Sequence, residues 1–339
     1  MPSNKRPGRG ARPSARSAGA RDRWRGGLDL GGTKIQAVVV DADHVARGQA
    51  RCPTPSSGGP AAVADAMAAV LTDAAAEAAV DVEDLAGVGV GSPGDVDSAA
   101  GSVARAGNLP DWEKPFALAA ELSRRLDGVE VALGNDVSVA TWAEFELGAG
   151  RPYRSLLGVF WGTGVGGGLV LDGAPWHGRG AAGEIGHTVV RREGARCPCG
   201  RRGCVEAYAG RRAMEQRARR RHDEGVETEL FTIMAKRGRD RLTSGVWERA
   251  ARRGDPLALH LLDRAVIALG TGIASAVNLL DVEAVVLGGG LGVRFGPQRL
   301  EGLTAEMGRH LFVDGRPPAV HMAQLGDLGG AVGAAQLVA

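Results

Sequence analysis

Residues 28–34 read Leu28-Asp29-Leu30-Gly31-Gly32-Thr33-Lys34, and a mostly apolar run continues to Val40. Apolar runs on both sides of a Gly-Gly turn predict strand, turn, strand. The stretch superficially resembles a P-loop, but its Lys and Thr stand in the reverse order and a strand follows instead of a helix, which excludes that motif. Backbone amides of this first glycine turn, residues 31–34, can form an anion-binding concavity, with Asp29 placed to hold a magnesium ion through water. On this segment alone, a plain hairpin is the alternative.

Residues 156–171 repeat this pattern. The apolar run Leu156 to Trp161 leads into the second glycine turn, Gly162-Thr163-Gly164-Val165-Gly166-Gly167-Gly168, and then into Leu169-Val170-Leu171. The turn satisfies GxGxxG literally, but a dinucleotide site needs a helix after those glycines, and a strand is predicted here. Two such hairpins predict one fold used twice, each half supplying one phosphate-binding turn.

Helices and strands alternate elsewhere, which predicts an α/β fold with a βαβ crossover. An alanine-rich helix is expected from Pro60 to Ala79 and a buried strand from Leu85 to Val90, and residues 205–275 are expected to be mostly helical. A short strand, Val131 to Leu133, runs into Gly134-Asn135-Asp136 and a helix to about Leu147. A carboxylate at the carboxyl end of a strand is in the usual catalytic place for an open α/β sheet. A helix-capping role for Asp136 is the alternative.

A third glycine segment, Gly288-Gly289-Gly290, follows the predicted strand Ala284 to Leu287. Glycines at the end of a strand allow a ligand to approach the backbone closely. This segment suits the adenosine of a nucleotide.

Three of the four cysteines form one short cluster with a histidine: His187, Cys197, Cys199 and Cys204, between Glu184 and Glu206. This is a ligand set for one tetrahedral zinc ion, and four protein ligands mark a structural site. Free or disulfide-bonded thiols are the alternative, although Cys197 and Cys199 are too close in sequence to bridge each other without strain. Cys52 stands alone and is expected to be an ordinary small buried residue.

Length and charge bound the remaining possibilities. A chain of 339 residues with 44% hydrophobic and 24% charged residues predicts a soluble globular protein with two lobes. Residues 1–25 carry eight Lys or Arg side chains against one acidic residue, and Pro, Gly and Ser interrupt them, which predicts a disordered basic tail. A nucleic-acid contact or a transit segment is not favoured. We expect no signal peptide and no stretch of membrane-spanning length, and hence a cytoplasmic protein.

Taken together, these motifs resemble the ROK family of sugar kinases and sugar-responsive repressors over residues 27–339. They occur in the family's order: Asp29-x-Gly31-Gly32-Thr33-Lys34, Gly91-Ser92-Pro93-Gly94, Asn108-Leu109-Pro110-Asp111-Trp112, Gly134-Asn135-Asp136, Gly162 to Gly168, Ala182-Gly183-Glu184-Ile185-Gly186-His187, Cys197-x-Cys199-Gly200-x-x-Gly203-Cys204, and Gly288-Gly289-Gly290.

The resemblance implies a two-lobed, actin-like ATPase (ribonuclease H-like) sugar kinase fold with a structural zinc knuckle. The expected parts are an N-terminal α/β lobe, residues 26–140, with a C-terminal helix at about 325–339 packing back on it. A larger C-terminal lobe, residues 141–324, would carry the zinc site and the nucleotide-binding turns. Sugar and nucleotide would meet in the cleft between lobes that close on binding.

The resemblance also assigns roles residue by residue. Asp136 would be the general base. Together with it, five residues would hold sugar hydroxyls: Asn108, Asn135, Glu184, His187 and Glu206. The nucleotide and its magnesium ion would be bound by Asp29, Gly31, Gly32, Thr33, Lys34, Gly162, Thr163, Gly164, Gly288, Gly289 and Gly290. His187 would serve both zinc and sugar through its two ring nitrogens.

The implied activity is an ATP-dependent hexose kinase that phosphorylates the 6-hydroxyl of glucose, with N-acetylhexosamine kinase and fructokinase as alternatives. Repressors of the family carry a helix-turn-helix domain ahead of the first glycine turn, and the tail, broken by Pro and Gly, is not expected to form one. The resemblance further implies a homo-oligomer, either dimer or tetramer, without membrane or nucleic-acid partners. Trp161 is bulkier than we expect before a phosphate-binding turn.

Overall fold

Two five-stranded sheets form the framework of the computed structural model, which describes residues 24–107, 109 and 111–339. Residues 1–23 of the predicted tail and Asn108 lie outside the described residues, and the first strand begins at Arg25. Each sheet packs around its own apolar core.

The first sheet has the strand order β3-β2-β1-β4-β7. Strands β1 to β3 are antiparallel neighbours, and β4 and β7 run parallel to β1. A two-stranded hairpin, β5-β6, lies beside it. The strands are β1 (Arg25–Leu30), β2 (Lys34–Val40), β3 (Ala46–Pro53), β4 (Val88–Ser92), β5 (Asp95–Asp97), β6 (Ser102–Ala104) and β7 (Val131–Asn135). The helices of this part are α1 (Gly59–Glu77) and α2 (Leu118–Arg125), and α3 (Asp136–Leu147) follows β7 directly.

The second sheet repeats the topology of the first, with the order β10-β9-β8-β11-β12. Its first three strands are again antiparallel neighbours, and the last two are parallel to β8. The strands are β8 (Leu156–Trp161), β9 (Val165–Leu171), β10 (Ala174–Pro175), β11 (Ala284–Gly288) and β12 (Ala319–Met322). The prediction that one fold is used twice is therefore confirmed, with a glycine turn between the first two strands of each sheet.

Helices make up most of the chain between β10 and β12, on both sides of β11. They are α4 (Glu206–Ala209), α5 (Arg211–Asp223), α6 (Leu230–Lys236), α7 (Ser244–Arg252), α8 (Pro256–Leu280) and α9 (Gly289–Gly308). Among the described residues, only α8 is long and apolar enough to cross a membrane, and 67% of its most apolar window is buried. The expectation that no stretch reaches membrane-spanning length was wrong as to length, because the central core helix of this half is 25 residues long.

The last helix, α10 (Gly329–Ala335), returns to the first sheet and packs on β1 and β4. Two glycines permit this close approach: a Cβ on Gly27 would lie 2.0 Å from the Ala331 carbonyl oxygen, and one on Gly89 would lie 1.7 Å from that of Ala334. Helix α3 packs on strands of both sheets. The domain boundary predicted between residues 140 and 141 falls inside α3, and its position stays a prediction.

Below, the first half means the first sheet with α1, α2 and α10, and the second half means the second sheet with α4 to α9.

Candidate active site

Asp136 is the first residue of α3, directly after the carboxyl end of β7. The helix cap is Asn135, whose Oδ1 accepts hydrogen bonds from the amides of Val137 at 3.2 Å and Ser138 at 3.1 Å. Burial, together with the charges of Asp29 and Glu184, raises the pKa of Asp136 to about 7. A carboxyl group with a pKa near neutrality is suited to accept a proton in catalysis.

Asp29 lies on β1 and is electrostatically close to Asp136. Burial raises the pKa of Asp29 as well, although the Lys34 ammonium group opposes this. A Cβ on Gly330 would lie 2.9 Å from the Asp29 carboxyl, so only glycine lets the start of α10 approach it this closely. Two neighbouring, half-buried carboxyls create a negative potential that a divalent cation would relieve.

The first glycine turn is partly open to solvent, since Gly32 and Thr33 are exposed. Gly31 donates its amide to the Lys34 carbonyl oxygen at 3.0 Å. The Lys34 Nζ donates to Gln36 Oε1 and pairs with Asp327 Oδ2, each at 2.8 Å. Lys34 thus already has a carboxylate partner, in the segment that leads to α10.

The second glycine turn is supported from behind by the start of α5. The amides of Arg211 and Arg212 donate to the carbonyl oxygens of Gly162 and Thr163, both at 3.1 Å. The Arg211 guanidinium also donates to Thr163 Oγ1 at 3.0 Å. Glu206 Oε2 accepts the amide of Val165 at 2.9 Å.

Trp161, which the sequence left unexplained, anchors this turn to its surroundings. Its ring is 1% exposed, and Nε1 donates to the Ala209 carbonyl oxygen at 2.7 Å. Gly289 has a φ of +81°, and a Cβ there would lie 2.6 Å from the Trp161 carbonyl oxygen. The third glycine segment therefore packs directly on the strand that precedes the second turn. It begins helix α9, unlike the other two glycine turns, which join strands.

The predicted metal ligands converge. The ligand atoms of His187, Cys197, Cys199 and Cys204 all lie within 4.8 Å of one another. His187 Nδ1 is 3.6 Å from Cys197 Sγ, and Cys199 Sγ is 3.8 Å from Cys204 Sγ. Tetrahedral zinc with Zn–S distances of about 2.3 Å requires sulfurs about 3.8 Å apart, so the geometry fits zinc and is far too long for a disulfide. Cys52 is half-buried rather than buried as predicted, because it lies on β3, the edge strand of the first sheet, although its thiol faces Ala66 of α1.

Two cavities are lined by four of the six predicted sugar-binding residues, and Asp136 is not among the lining residues of either. A cavity of about 1030 Å³ is lined by Thr163, Gly164, His187 and Glu206 from the second half and by Pro93 and Gly94 from the first. A second cavity of about 410 Å³ is lined by Asn135 and Glu184. The two groups of residues are linked through His187, whose Nε2 lies 3.9 Å from Glu184 Oε2.

Comparisons with known proteins agree with this geometry. The sequence profile of the ROK family matches residues 25–339. This chain belongs to the ROK family. It is 34% identical over 315 residues to a glucokinase of Streptomyces coelicolor, covering 92% of this chain and 96% of that one. It is 33% identical over 323 residues to an N-acetyl-D-glucosamine kinase of Pectobacterium atrosepticum, covering 92% and 97%.

Among solved structures, a ROK family glucokinase from Streptomyces griseus in complex with glucose and AMPPNP is similar with a TM-score of 0.79. The two are 33% identical over 93% of this chain and 98% of that chain. The predicted two-lobed sugar kinase fold is confirmed.

The sequence did not reveal that Arg211 supports the second glycine turn or that Trp161 anchors it. Arg211 lies 48 residues from Thr163, and no local motif links the two. The available signal was the unusual size of Trp161, which the sequence alone did not explain.

Proposed function

We propose that this chain is an ATP-dependent hexose kinase, most specifically a glucokinase, which transfers the γ-phosphoryl group of ATP to the sugar 6-hydroxyl. The observation that carries the proposal is the Asp136 carboxyl, which follows the end of β7 directly, lies near the charges of Asp29 and Glu184, and has its pKa raised to about 7. The similarity to glucokinases over most of the chain supports the same assignment.

Asp136 would accept the proton of the attacking hydroxyl, because a hydroxyl becomes a competent nucleophile as its proton leaves. Around it, polar groups remain free for other sugar hydroxyls. Asn135 uses its carbonyl oxygen as the helix cap, which leaves its amide group to donate. Glu206 uses Oε2 for Val165, which leaves Oε1 to accept. Glu184 and the Nε2 of His187 would complete the set, and Asn108 keeps the role that the resemblance implies.

The phosphates of ATP would bind to backbone amides of the first and second glycine turns and to the Thr163 hydroxyl. Magnesium neutralises charge on the transferred phosphoryl group when it is bound, and Asp29 would hold its water ligands. Gly288, Gly289 and Gly290 would lie against the adenosine. For Lys34, binding of phosphate would require exchange of its partner Asp327.

We assign zinc to His187, Cys197, Cys199 and Cys204. The metal would leave no open coordination position, and so its role is structural. His187 would coordinate through Nδ1, the nitrogen that faces Cys197, and would direct Nε2 toward Glu184 and the sugar. The zinc site would thus fix one wall of the sugar site.

An N-acetylhexosamine kinase is the second candidate, favoured by the N-acetyl-D-glucosamine kinase relative at 33% identity. The test is ADP release with ATP and magnesium over a panel of glucose, mannose, fructose, N-acetylglucosamine and N-acetylmannosamine. We expect glucose to give the highest kcat/KM. A preference for an N-acetylated sugar would select the second candidate. Sugar binding without turnover of any sugar in the panel would overturn the kinase proposal.

Reduced cysteines placed as metal ligands favour the cytoplasm, where thiols stay reduced, and we propose that location. Dimer or tetramer formation remains a proposal from the family resemblance, and sedimentation velocity tests it.

A further inference from the structure

Glu144 is a buried carboxylate that the proposed chemistry does not use. It lies on α3, eight residues after Asp136, and only 3% of its surface is exposed. Its Oε2 accepts the amide of Ala149 at 3.1 Å, and its Oε1 accepts that of Leu325 at 2.8 Å. The amide of Gln324 donates to both oxygens, at 2.9 Å to Oε1 and 3.0 Å to Oε2.

These three donors belong to the two passages of the chain between the halves. Ala149 lies between α3 and β8, where the chain enters the second half. Gln324 and Leu325 lie between β12 and α10, where it returns to the first half. One side chain therefore ties both crossings to the helix that begins with Asp136.

The surroundings are specific for a carboxylate. All its described partners are N–H donors, so both oxygens must accept, and an amide would point its own hydrogens at a donor. A buried charge of this kind is stable only when it is fully hydrogen-bonded. Gly148 closes the remaining space, since a Cβ there would lie 2.1 Å from Oε2.

We propose that Glu144 is a positioning residue that fixes the pivot on which the two halves close. Because α3 is one continuous helix, the pivot also sets where Asp136 stands relative to the second glycine turn. This inference rests on the proposed kinase function. A displacement of 1 Å between reacting groups lowers rates by about 100-fold. Incomplete closure also lets water take the phosphoryl group.

The test uses Glu144→Gln beside a matched control, Asp255→Asn. Asp255 is 4% exposed and accepts the amides of Glu229 at 2.6 Å and Ala258 at 2.7 Å, but all its partners lie in the second half. For Glu144→Gln we expect kcat to fall by about 10- to 100-fold while the KM for glucose changes by less than about threefold. The number of ATP molecules hydrolysed per glucose phosphorylated should rise above the wild-type ratio. Asp255→Asn should lower thermal stability and leave that ratio unchanged.

A second variant, Leu325→Pro, guards against failure of the first to fold. The φ of Leu325 is −77°, which proline can adopt, and the change removes one amide donor while the carboxylate keeps its other partners. We expect a smaller shift of kcat and of the coupling ratio in the same direction. If the folded variants keep wild-type kcat and coupling, Glu144 does not position Asp136.

Measurements on the wild-type protein distinguish failure of the proposed function from failure of this inference. Absence of sugar-dependent turnover in the wild type would refute the kinase proposal alone. The pivot would then be judged by small-angle scattering, where sugar should compact the wild type and should compact Glu144→Gln less. Equal compaction would overturn the pivot.

Discussion

The first and second glycine turns occupy equivalent positions in two sheets of the same topology, yet they are held in different ways. The first turn exposes Gly32 and Thr33, and it is held by Thr54, directly after β3, whose hydroxyl donates to the Gly31 carbonyl oxygen at 2.6 Å and whose amide donates to that of Thr33 at 3.2 Å. The second turn is fixed by the amides of Arg211 and Arg212, by Glu206, and by the buried Trp161 before it. The second turn is therefore the more extensively anchored of the two, and we expect it to be the more rigid.

The two sheets also differ where their fifth strands end. Strand β7 ends at Asn135 and is followed by Asp136, whereas β12 ends at Met322 and is followed by Ala323 and Gln324, with no acid at that place. The two half-buried acids with raised pKa values, Asp29 and Asp136, thus belong to the first half or the helix that follows it. The difference teaches that a duplicated framework need not duplicate its chemistry: the first half and α3 supply the acids with raised pKa values, and the second half supplies the anchored turn, the acids Glu184 and Glu206, and the candidate metal ligands.

The largest expected effect comes from removing the acid that the second half lacks. Asp136→Asn should lower kcat by about 10²- to 10⁴-fold, since it removes the proton acceptor. Glucose affinity, measured by calorimetry, should stay within about threefold. Equal loss of affinity and turnover would mean that Asp136 has a structural role, and the contrast between the halves would fail.

The same variant should change the dependence of stability on pH. Because the folded-state pKa of Asp136 is raised from 3.8 to about 7, the native state binds the proton more tightly than the unfolded chain does. Stability from this group is therefore full below pH 3.8 and is lost as the pH rises through about 7. The melting temperature of Asp136→Asn should exceed that of the wild type by more at pH 8 than at pH 5.5.

The second effect in size tests the metal cluster, which the first half lacks among its described residues. Cys199→Ser should weaken metal binding by about 10- to 100-fold or more, and glucose affinity should fall with it because His187 loses its fixed orientation. Metal content by mass spectrometry and glucose affinity by calorimetry are the measurements. Full metal content with unchanged affinity would separate the cluster from the sugar site. Cys52→Ser is the matched control, since that thiol lies on β3, outside the cluster.

A smaller effect concerns the coupling between the two acids. With a pKa of about 7, Asp136 is ionised above neutrality, so kcat/KM should fall about tenfold per pH unit below pH 7. Since the charge of Asp29 raises the pKa of Asp136, Asp29→Asn should move the residual activity profile to lower pH. A profile that is flat from pH 6 to pH 8 would contradict the assignment of Asp136 as the base.

The sequence was sufficient for the local elements and for the convergence of the four candidate metal ligands. Residues 28–40 and 156–171 could be predicted because each is an apolar run, a glycine turn and a second apolar run, a pattern with one local solution. The cluster of His187 with three cysteines was predictable because zinc restricts both the ligand type and the spacing. The family motifs supplied the two-lobed arrangement.

Contacts between distant segments could not be predicted in this way. Glu144 meets Gln324 across 180 residues, and Trp161 meets Ala209 across 48. Their partners are backbone groups, which carry no residue-specific signal in a sequence. The raised pKa of Asp136 likewise depends on burial and on the approach of Asp29 and Glu184, and these follow only from the assembled fold.

The smallest expected effect tests whether rigidity of the second turn matters in itself. Trp161→Phe keeps most of the buried ring but removes the hydrogen bond from Nε1 to the Ala209 carbonyl oxygen. An unsatisfied buried carbonyl costs about 1–3 kcal/mol, so the free energy of unfolding should fall by about that amount in denaturant titration. If the turn must be rigid to receive phosphate, the KM for ATP should also rise by about two- to fivefold, which corresponds to about 0.4–1 kcal/mol. The KM for glucose should stay constant.

Trp112→Phe provides the control, because Trp112 is also buried and donates to the Val103 carbonyl oxygen at 2.9 Å, but in the first half. An equal loss of stability in both variants, with the KM for ATP unchanged in both, would show that the second turn needs only its backbone shape, and that its additional anchors serve the fold.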